Sequence, residues 1–256
     1  MNKININKIL YTIFGVILLL LSYIVLFIAR FFIRDYYSYR LFYQKVARNL
    51  TKIFYNVKYE KEYNSLEESD KGRIYICNHS SNLDFILVSN IRNVFYELAA
   101  KEIYDDYFFL RLVLKQSKCI IVDLNDKESK EKIIDKCVDR IDKGDSILIF
   151  PEGGLIKLDD DWNMNKIPIL GEFKKGAFEI ALRTGAQIHP VLLVNAYKTS
   201  PVYENNNRFM NGIDEDLLIK ELPPSYADQT KTSIELAEDY QNMMQEEWNE
   251  YNITTI

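Results

Sequence analysis

Histidine occurs twice in the 256 residues, at His79 and His189, so imidazole chemistry here must use one of these two side chains. His79 stands in Ile76-Cys77-Asn78-His79-Ser80-Ser81-Asn82-Leu83-Asp84. A β-branched run ends there, and Ser81 or Asn82 can cap a new helix that carries Asp84 in its first turn. A gap of five residues across a strand-to-helix connection can bring the carboxylate back onto the imidazole. One ring nitrogen would then donate to Asp84, and the other would serve as a general base. The alternative is a loop histidine next to an unrelated aspartate that the helix dipole favours at a helix start.

Two further groups could act on a ligand. Phe150-Pro151-Glu152-Gly153-Gly154 ends an apolar run. Proline stops a strand ladder, the glycines admit close backbone approach, and Glu152 could orient a hydroxyl. The alternative is a plain turn with an exposed glutamate. Glu172-Phe173-Lys174-Lys175-Gly176 puts two lysines at a predicted helix start, which already attracts anions; otherwise they form a solvated basic pair. His189, in Gln187-Ile188-His189-Pro190, lacks an acidic neighbour in sequence and reads as structural. No Gly-x-Ser-x-Gly elbow supports a lipase or thioesterase, and no short Cys or His spacing suggests a metal. Cys77, Cys119 and Cys137 have no paired spacing and are expected as free thiols.

Periodicity and punctuation set the elements around these residues. Short strands are expected over 73–77, 94–99, 119–123, 146–150 and 188–194. Helices are expected over 83–91, 103–114, 126–142, 173–183 and 233–251, with Gly144 and Gly185 as stops. Such alternation predicts an α/β fold with a single mixed sheet layered with helices. Residues 9–29 carry no charge and are dominated by Leu, Ile, Val and Phe, enough to cross a hydrocarbon core of ~30 Å. Lys3 and Lys8 precede this run, and Arg30 and Arg34 follow it, so charge leaves its orientation open. The run is longer than a signal peptide's apolar region and lacks a small-residue cleavage site. Residues 31–43, aromatic and basic, read as an interfacial helix, and residues 60–71 as a polar linker. The division expected is a membrane anchor with interfacial helix over 1–59 and an enzymatic domain over 60–256. The net charge of -5 argues against nucleic acid.

Taken in order, these segments resemble the glycerolipid acyltransferase family, which includes lysophosphatidate acyltransferases. His79 and Asp84 after Asn78 match its HxxxxD motif, Phe150 to Gly153 its FPEG motif, and Phe173 to Gly176 an FKKG-like segment. The Pro190-centred strand matches a last motif, and Lys101 stands where the family often has a lysine. The likeness runs over residues 74–194. It implies transfer of a fatty acyl group from acyl-CoA or acyl-carrier protein to a lysoglycerophospholipid, lysophosphatidate first, with no cofactor. His79 and Asp84 would be catalytic. Asn78, Lys101, Glu152, Gly153, Gly154, Lys174 and Lys175 would bind substrate. Membrane lipids would be the partners, at the endoplasmic reticulum or an inner membrane, with the catalytic domain facing the cytoplasm. Two positions depart from the pattern. Leu124 stands where the second motif has arginine, and Gly154 where threonine is common. The first leaves open a lysophosphatidylcholine-type or glycerol-3-phosphate acyltransferase, or an inactive lipid-binding member; Lys118 and Lys127 flank the same strand.

Overall fold

The computed structural model describes residues 6–63, 72–91, 96–101, 120–122, 127–159, 168–200, 202–203 and 216–253. Helix α1 (Ile6–Phe32) covers the uncharged run. Its apolar side chains, among them Leu20, Leu21, Ile24, Val25 and Phe31, are largely exposed, so it is not a core helix. It is long and apolar enough to cross a membrane. The chain breaks at residues 33–35, where Asp35 accepts the Ser38 amide at 2.7 Å and starts α2 (Tyr36–Phe54). This helix therefore starts later and runs further than the aromatic-basic segment 31–43. Tyr39, Arg40, Gln44, Ala47, Thr51 and Phe54 form its buried stripe, at helical spacing.

Strand β1 (Asn56–Lys61) follows at once and pairs in parallel with β9 (Asp216–Glu221). This corrects the expectation of a linker from residue 60, and the division at 59/60 falls inside this strand. Residues 64–71 lie outside the described residues. Strand β2 (Ile74–Cys77) is wholly buried at the centre of the sheet. It leads into one short turn of helix, α3 (Asp84–Leu87), continued as a 3₁₀ turn over Val88–Asn90, not the single helix 83–91. Then come β3 (Tyr96–Lys101), β4 (Ile120–Val122), α4 (Lys127–Asp142), β5 (Ser146–Ile149) and the two-residue β6 (Lys157–Leu158). They are followed by α5 (Gly176–Thr184), β7 (Gln187–Val194), β8 (Val202–Tyr203), β9, β10 (Ser225–Tyr226) and α6 (Ser233–Ile253). The expected helix 103–114 lies outside the described residues.

The sheet order is β1-β9-β7-β2-β5-β3-β4, with β10 also on β7 and with β6 and β8 paired separately. Strands β7, β2, β5, β3 and β4 run parallel to one another, while β9 and β10 are antiparallel to β7, so the sheet is mixed. Alternation along the buried strands feeds two cores. Ile74, Ile76, Ile147 and Leu192 pack towards α4, α5 and α6, including Phe178, Met244 and Trp248. Tyr75, Cys77, Leu148, Val191 and Leu193 pack on the other face with Leu83, Leu87, Ala47 and Phe54 of α3 and α2. Glycine ends α5 at Gly185, with φ of 65° and its amide on Ala181 O. A capping box starts α6: Thr232 Oγ1 accepts the Glu235 amide at 3.2 Å, and Glu235 Oε2 accepts the Thr232 amide at 2.7 Å. Gly72 is required for closeness, because a Cβ there would stand 1.9 Å from Asp145 O. Cys77 and Cys137 are buried free thiols, and Cys119 lies outside the described residues.

Candidate active site

Parallel neighbours end at the same edge of a sheet, and ligands of open α/β sheets bind at the carboxyl ends of the strands. β2 and β5 are such neighbours, with Ile76 beside Ile149. The segments that follow them, 78–84 and 150–154, therefore lie side by side. The His79 carbonyl accepts the Ile156 amide at 2.9 Å, which ties the two together. β3 pairs in parallel with β5 and ends in Lys101 at the same edge.

The turn at 78–84 is built around one buried carboxylate oxygen. Asp84 Oδ2 accepts the Ser80 and Ser81 amides at 2.8 and 2.9 Å and lies 2.9 Å from His79 Nδ1. A carboxylate only accepts, so the His79 proton sits on Nδ1 and donates to Asp84. Nε2 then carries the lone pair. Asp84 is fully buried and His79 partly exposed, so the couple opens outward on the histidine side. The His79 ring lies flat on Phe150, with centroids 4.1 Å apart and an angle of 18°, which fixes its plane. Phe150 opens the FPEG segment, and nothing in the sequence marks its contact with His79. Behind the turn, Ser81 Oγ and Thr199 Oγ1 lie 2.8 Å apart, and the Asn82 amide donates to Ser200 O at 3.1 Å.

Asn78 sits beneath this turn, not on its surface. It is fully buried: Oδ1 accepts the Leu193 amide at 2.8 Å and Nδ2 donates to Leu193 O at 3.4 Å. Its carboxamide therefore ties the end of β2 to β7 and faces no open space. Glu152 likewise spends both oxygens on the protein. Oε1 accepts the His79 amide at 3.0 Å and Oε2 the Gly171 amide at 3.2 Å. Burial pushes its carboxyl up to about 7; the two amides pull it down, and the Asp84 charge raises it further. A Cβ on Gly171 would stand 2.8 Å from Glu152 Oε2, so this approach needs glycine, a role that no motif in the sequence signalled. Gly153 has φ of 71° and is exposed; Gly154 follows it half-buried.

Lys174 and Lys175 are exposed and precede α5, which begins at Gly176 instead of 173. Lys174 pairs with exposed Glu172 at 3.0 Å, a contact of small energetic worth, and Lys175 with half-buried Glu179 at 3.6 Å. The stem of Lys174 lies over the Gly153 turn, 3.6 Å from where a Cβ would be. Lys118 and Leu124 lie outside the described residues. His189 is buried, 3.1 Å from Gln187 Oε1, and packs on Tyr75 with centroids 4.8 Å apart. Burial pushes its pKa down to about 3, so it stays neutral and apart from the His79 couple. Among the described residues no group of His, Cys, Asp and Glu is arranged to hold a metal ion.

Fold and site together describe a mixed α/β protein with an aspartate-oriented histidine at the carboxyl ends of parallel strands. Within that class the chain belongs to the Acyltransferase family, whose model matches residues 56–194, more than half of the chain. It is 30% identical over 151 residues to the chloroplast 1-acyl-sn-glycerol-3-phosphate acyltransferase LPAT1 of Arabidopsis thaliana, which covers 58% of this chain and 38% of that one. It is 28% identical over 129 residues to the 1-acyl-sn-glycerol-3-phosphate acyltransferase of Helicobacter pylori, half of each chain. The matched segments thus span half or less of these relatives' own lengths. In structure the chain is similar to the 1-acyl-sn-glycerophosphate acyltransferase PlsC of Thermotoga maritima, with a TM-score of 0.72, 18% identity and 96% of both chains covered. That likeness is one of fold, and it extends through the N-terminal helices.

Proposed function

We propose that this protein transfers a fatty acyl group from an acyl thioester, on coenzyme A or acyl-carrier protein, to the free hydroxyl of lysophosphatidate, giving phosphatidate. The observation that carries this reading is the couple of His79 Nδ1 with Asp84 at 2.9 Å, which leaves the Nε2 lone pair for an incoming hydroxyl. Nε2 takes the hydroxyl proton as the oxygen attacks the thioester carbonyl. A C–O bond forms, and the tetrahedral intermediate collapses with loss of the C–S bond. The imidazolium returns its proton to the departing thiolate. Asp84, buried and already holding three donors, stabilises the imidazolium between these steps. No acyl-enzyme is required.

Supporting the phosphate on the acceptor are Lys101 at the sheet edge and the exposed Lys174-Lys175 pair, together with the likeness to 1-acyl-sn-glycerol-3-phosphate acyltransferases. Glu172, the partner of Lys174, is exposed, so a phosphate can replace this weak surface contact with a stronger charge-assisted one. Asn78 and Glu152 position the His79 turn in this reading, and Gly153 and Gly154 line the approach. Helix α1 lies in the bilayer, spanning or re-entrant, with the catalytic domain on the cytoplasmic face of an inner membrane or the endoplasmic reticulum, where acyl thioesters are supplied.

The test is incubation of full-length protein with labelled acyl thioester and lysophosphatidate, lysophosphatidylcholine, glycerol 3-phosphate or monoacylglycerol. Preferred labelling of lysophosphatidate is expected, and Lys101→Ala should raise the KM for that acceptor but not for the thioester. Equal use of acceptors with and without phosphate, unaltered by Lys101→Ala, would point to a neutral hydroxyl acceptor instead.

A further inference from the structure

Residues 168–175 form no helix or strand, yet four of their amides have defined acceptors. The Leu170 amide donates to Gln245 Oε1 at 2.8 Å, and the Phe173 amide to Gln241 Oε1 at 3.1 Å. Between them the Gly171 amide donates to Glu152, and after them the Lys174 amide donates to Pro151 O at 2.7 Å. Gln241 and Gln245 are four residues apart on α6, so they occupy one helix face. Gln245 Nε2 donates to Asn249 Oδ1 at 2.8 Å, which fixes the amide so that its oxygen faces Leu170. The side chains of Leu170 and Phe173 are buried in the same core as Met244 and Trp248 of α6. This helix lies beyond residues 56–194, the stretch that carries every motif of the family match.

The geometry points to a role that no motif carries: we infer that Gln241 and Gln245 are positioning residues for acyl transfer. They hold segment 168–175 so that the Gly171 amide meets Glu152, Glu152 holds the His79 amide, and Lys174 lies over the Gly153 turn. The inference rests on the function proposed above. Apolar packing of Leu170 and Phe173 sets how deep the segment sits but not how its peptide planes turn. Two directional acceptors one helical turn apart fix those planes. The links downstream are direct, since each Glu152 oxygen is on a backbone amide and Gly171 approaches it more closely than a residue with a Cβ could.

The experiment compares full-length wild type, a Gln241→Leu/Gln245→Leu variant that keeps bulk but removes both acceptors, and a Gln241→Glu/Gln245→Glu variant that keeps them. Hydrogen exchange is followed on peptides covering 168–175 and 78–84, and kinetics are measured with lysophosphatidate and acyl-CoA. In the leucine variant, amide exchange over 168–175 should speed up about tenfold or more, as expected for lost protecting bonds. Its kcat/KM for lysophosphatidate should fall by roughly 10- to 100-fold, the scale of an ångström-sized displacement at a reacting site. The KM for acyl-CoA and the melting temperature should change little, and the glutamate variant should recover most of the activity. Native exchange and native kinetics in the leucine variant would overturn the inference. So would an activity loss that follows the melting temperature with both KM values intact, which marks a role in stability alone. If the wild type acylates no acceptor, the functional reading falls; protection of 168–175 that survives the leucine variant then overturns the hold by α6 separately.

Discussion

One carboxylate oxygen organises the smallest scale of this site. Asp84 Oδ2 gathers two backbone amides and the His79 ring, so the residue that orients the base also shapes the turn that presents it. Asp84→Asn replaces a charge by a dipole and permits the wrong imidazole tautomer. His79→Ala removes the base itself. Both should lower kcat by about 10²–10⁴-fold in protein that still melts cooperatively, the usual worth of a positioned base; near-native turnover of His79→Ala would refute the mechanism. Glu152 carries a different cost. Its carboxyl, raised to about 7 by burial, binds its proton more tightly in the folded chain than in the unfolded one. Folding stability from this group is therefore present below the unfolded value near 4.5 and is lost as pH rises towards 7. Melting temperature should fall over that window in the wild type, and Glu152→Gln should flatten the slope. An identical slope in both proteins would contradict the assignment of this titration to Glu152.

The elements explain why distant residues meet. His79 and Glu152 are 73 positions apart but follow two parallel neighbours that stop at one edge. The segment 168–175 reaches the same edge before α5, where Gly171 closes on Glu152. Gly171→Ala places a Cβ 2.8 Å from Glu152 Oε2, against a carboxylate pinned by amides on both oxygens. That crowding should cost about 1–3 kcal/mol locally. Loss of acyl transfer with a small change in melting temperature is the expected outcome, and full activity of Gly171→Ala would show that the contact relaxes freely. On the opposite face of the sheet α2 packs against the 3₁₀ turn after α3 through Asn90 Nδ2, which donates to Thr51 Oγ1 at 3.0 Å. The helix pair α1–α2 is thus fastened to the turn that begins at Asp84.

At the scale of the molecule, charge is segregated. Residues 1–55 hold eight Lys or Arg and a single acidic residue, Asp35, whereas residues 56–256 hold 24 basic and 36 acidic residues. Lys45, Arg48 and Lys52 follow one another at helical spacing along α2, where Lys45 and Lys52 are exposed, beside an α1 whose apolar side chains face outward. An anionic bilayer would attract such a helix by about 1 kcal/mol per basic residue and repel the acidic remainder. Association with phosphatidylglycerol vesicles should therefore be faster than with phosphatidylcholine at low salt. The difference should vanish near ~0.5 M salt, where screening is shorter than about 5 Å, and Lys45→Ala/Lys52→Ala should reduce it. Equal rates on both vesicles at low salt would refute this electrostatic contribution.

Much of this was legible in the residues. Uniform apolarity marked α1, a 3.6-residue stripe with a glycine stop marked α4, a glycine stop marked the end of α5, and β-branched runs marked β2, β4, β5 and β7. The spacing of His79 and Asp84 anticipated their couple, because a five-residue turn closes locally. Edge strand β1 was divided between the anchor segment and a linker from residue 60, since its alternation, Val57 and Tyr59 between polar residues, is too short to mark a strand and is realised by pairing with β9, 160 residues away. The same non-locality hid the duties of Asn78 and Glu152. The sequence shows a polar side chain in a motif but not whether its partner is a ligand or a backbone amide. Gly171, Gln241 and Gln245 left no local signal at all. Their roles are distances between segments, and only the packing of α5 and α6 on the sheet creates those distances.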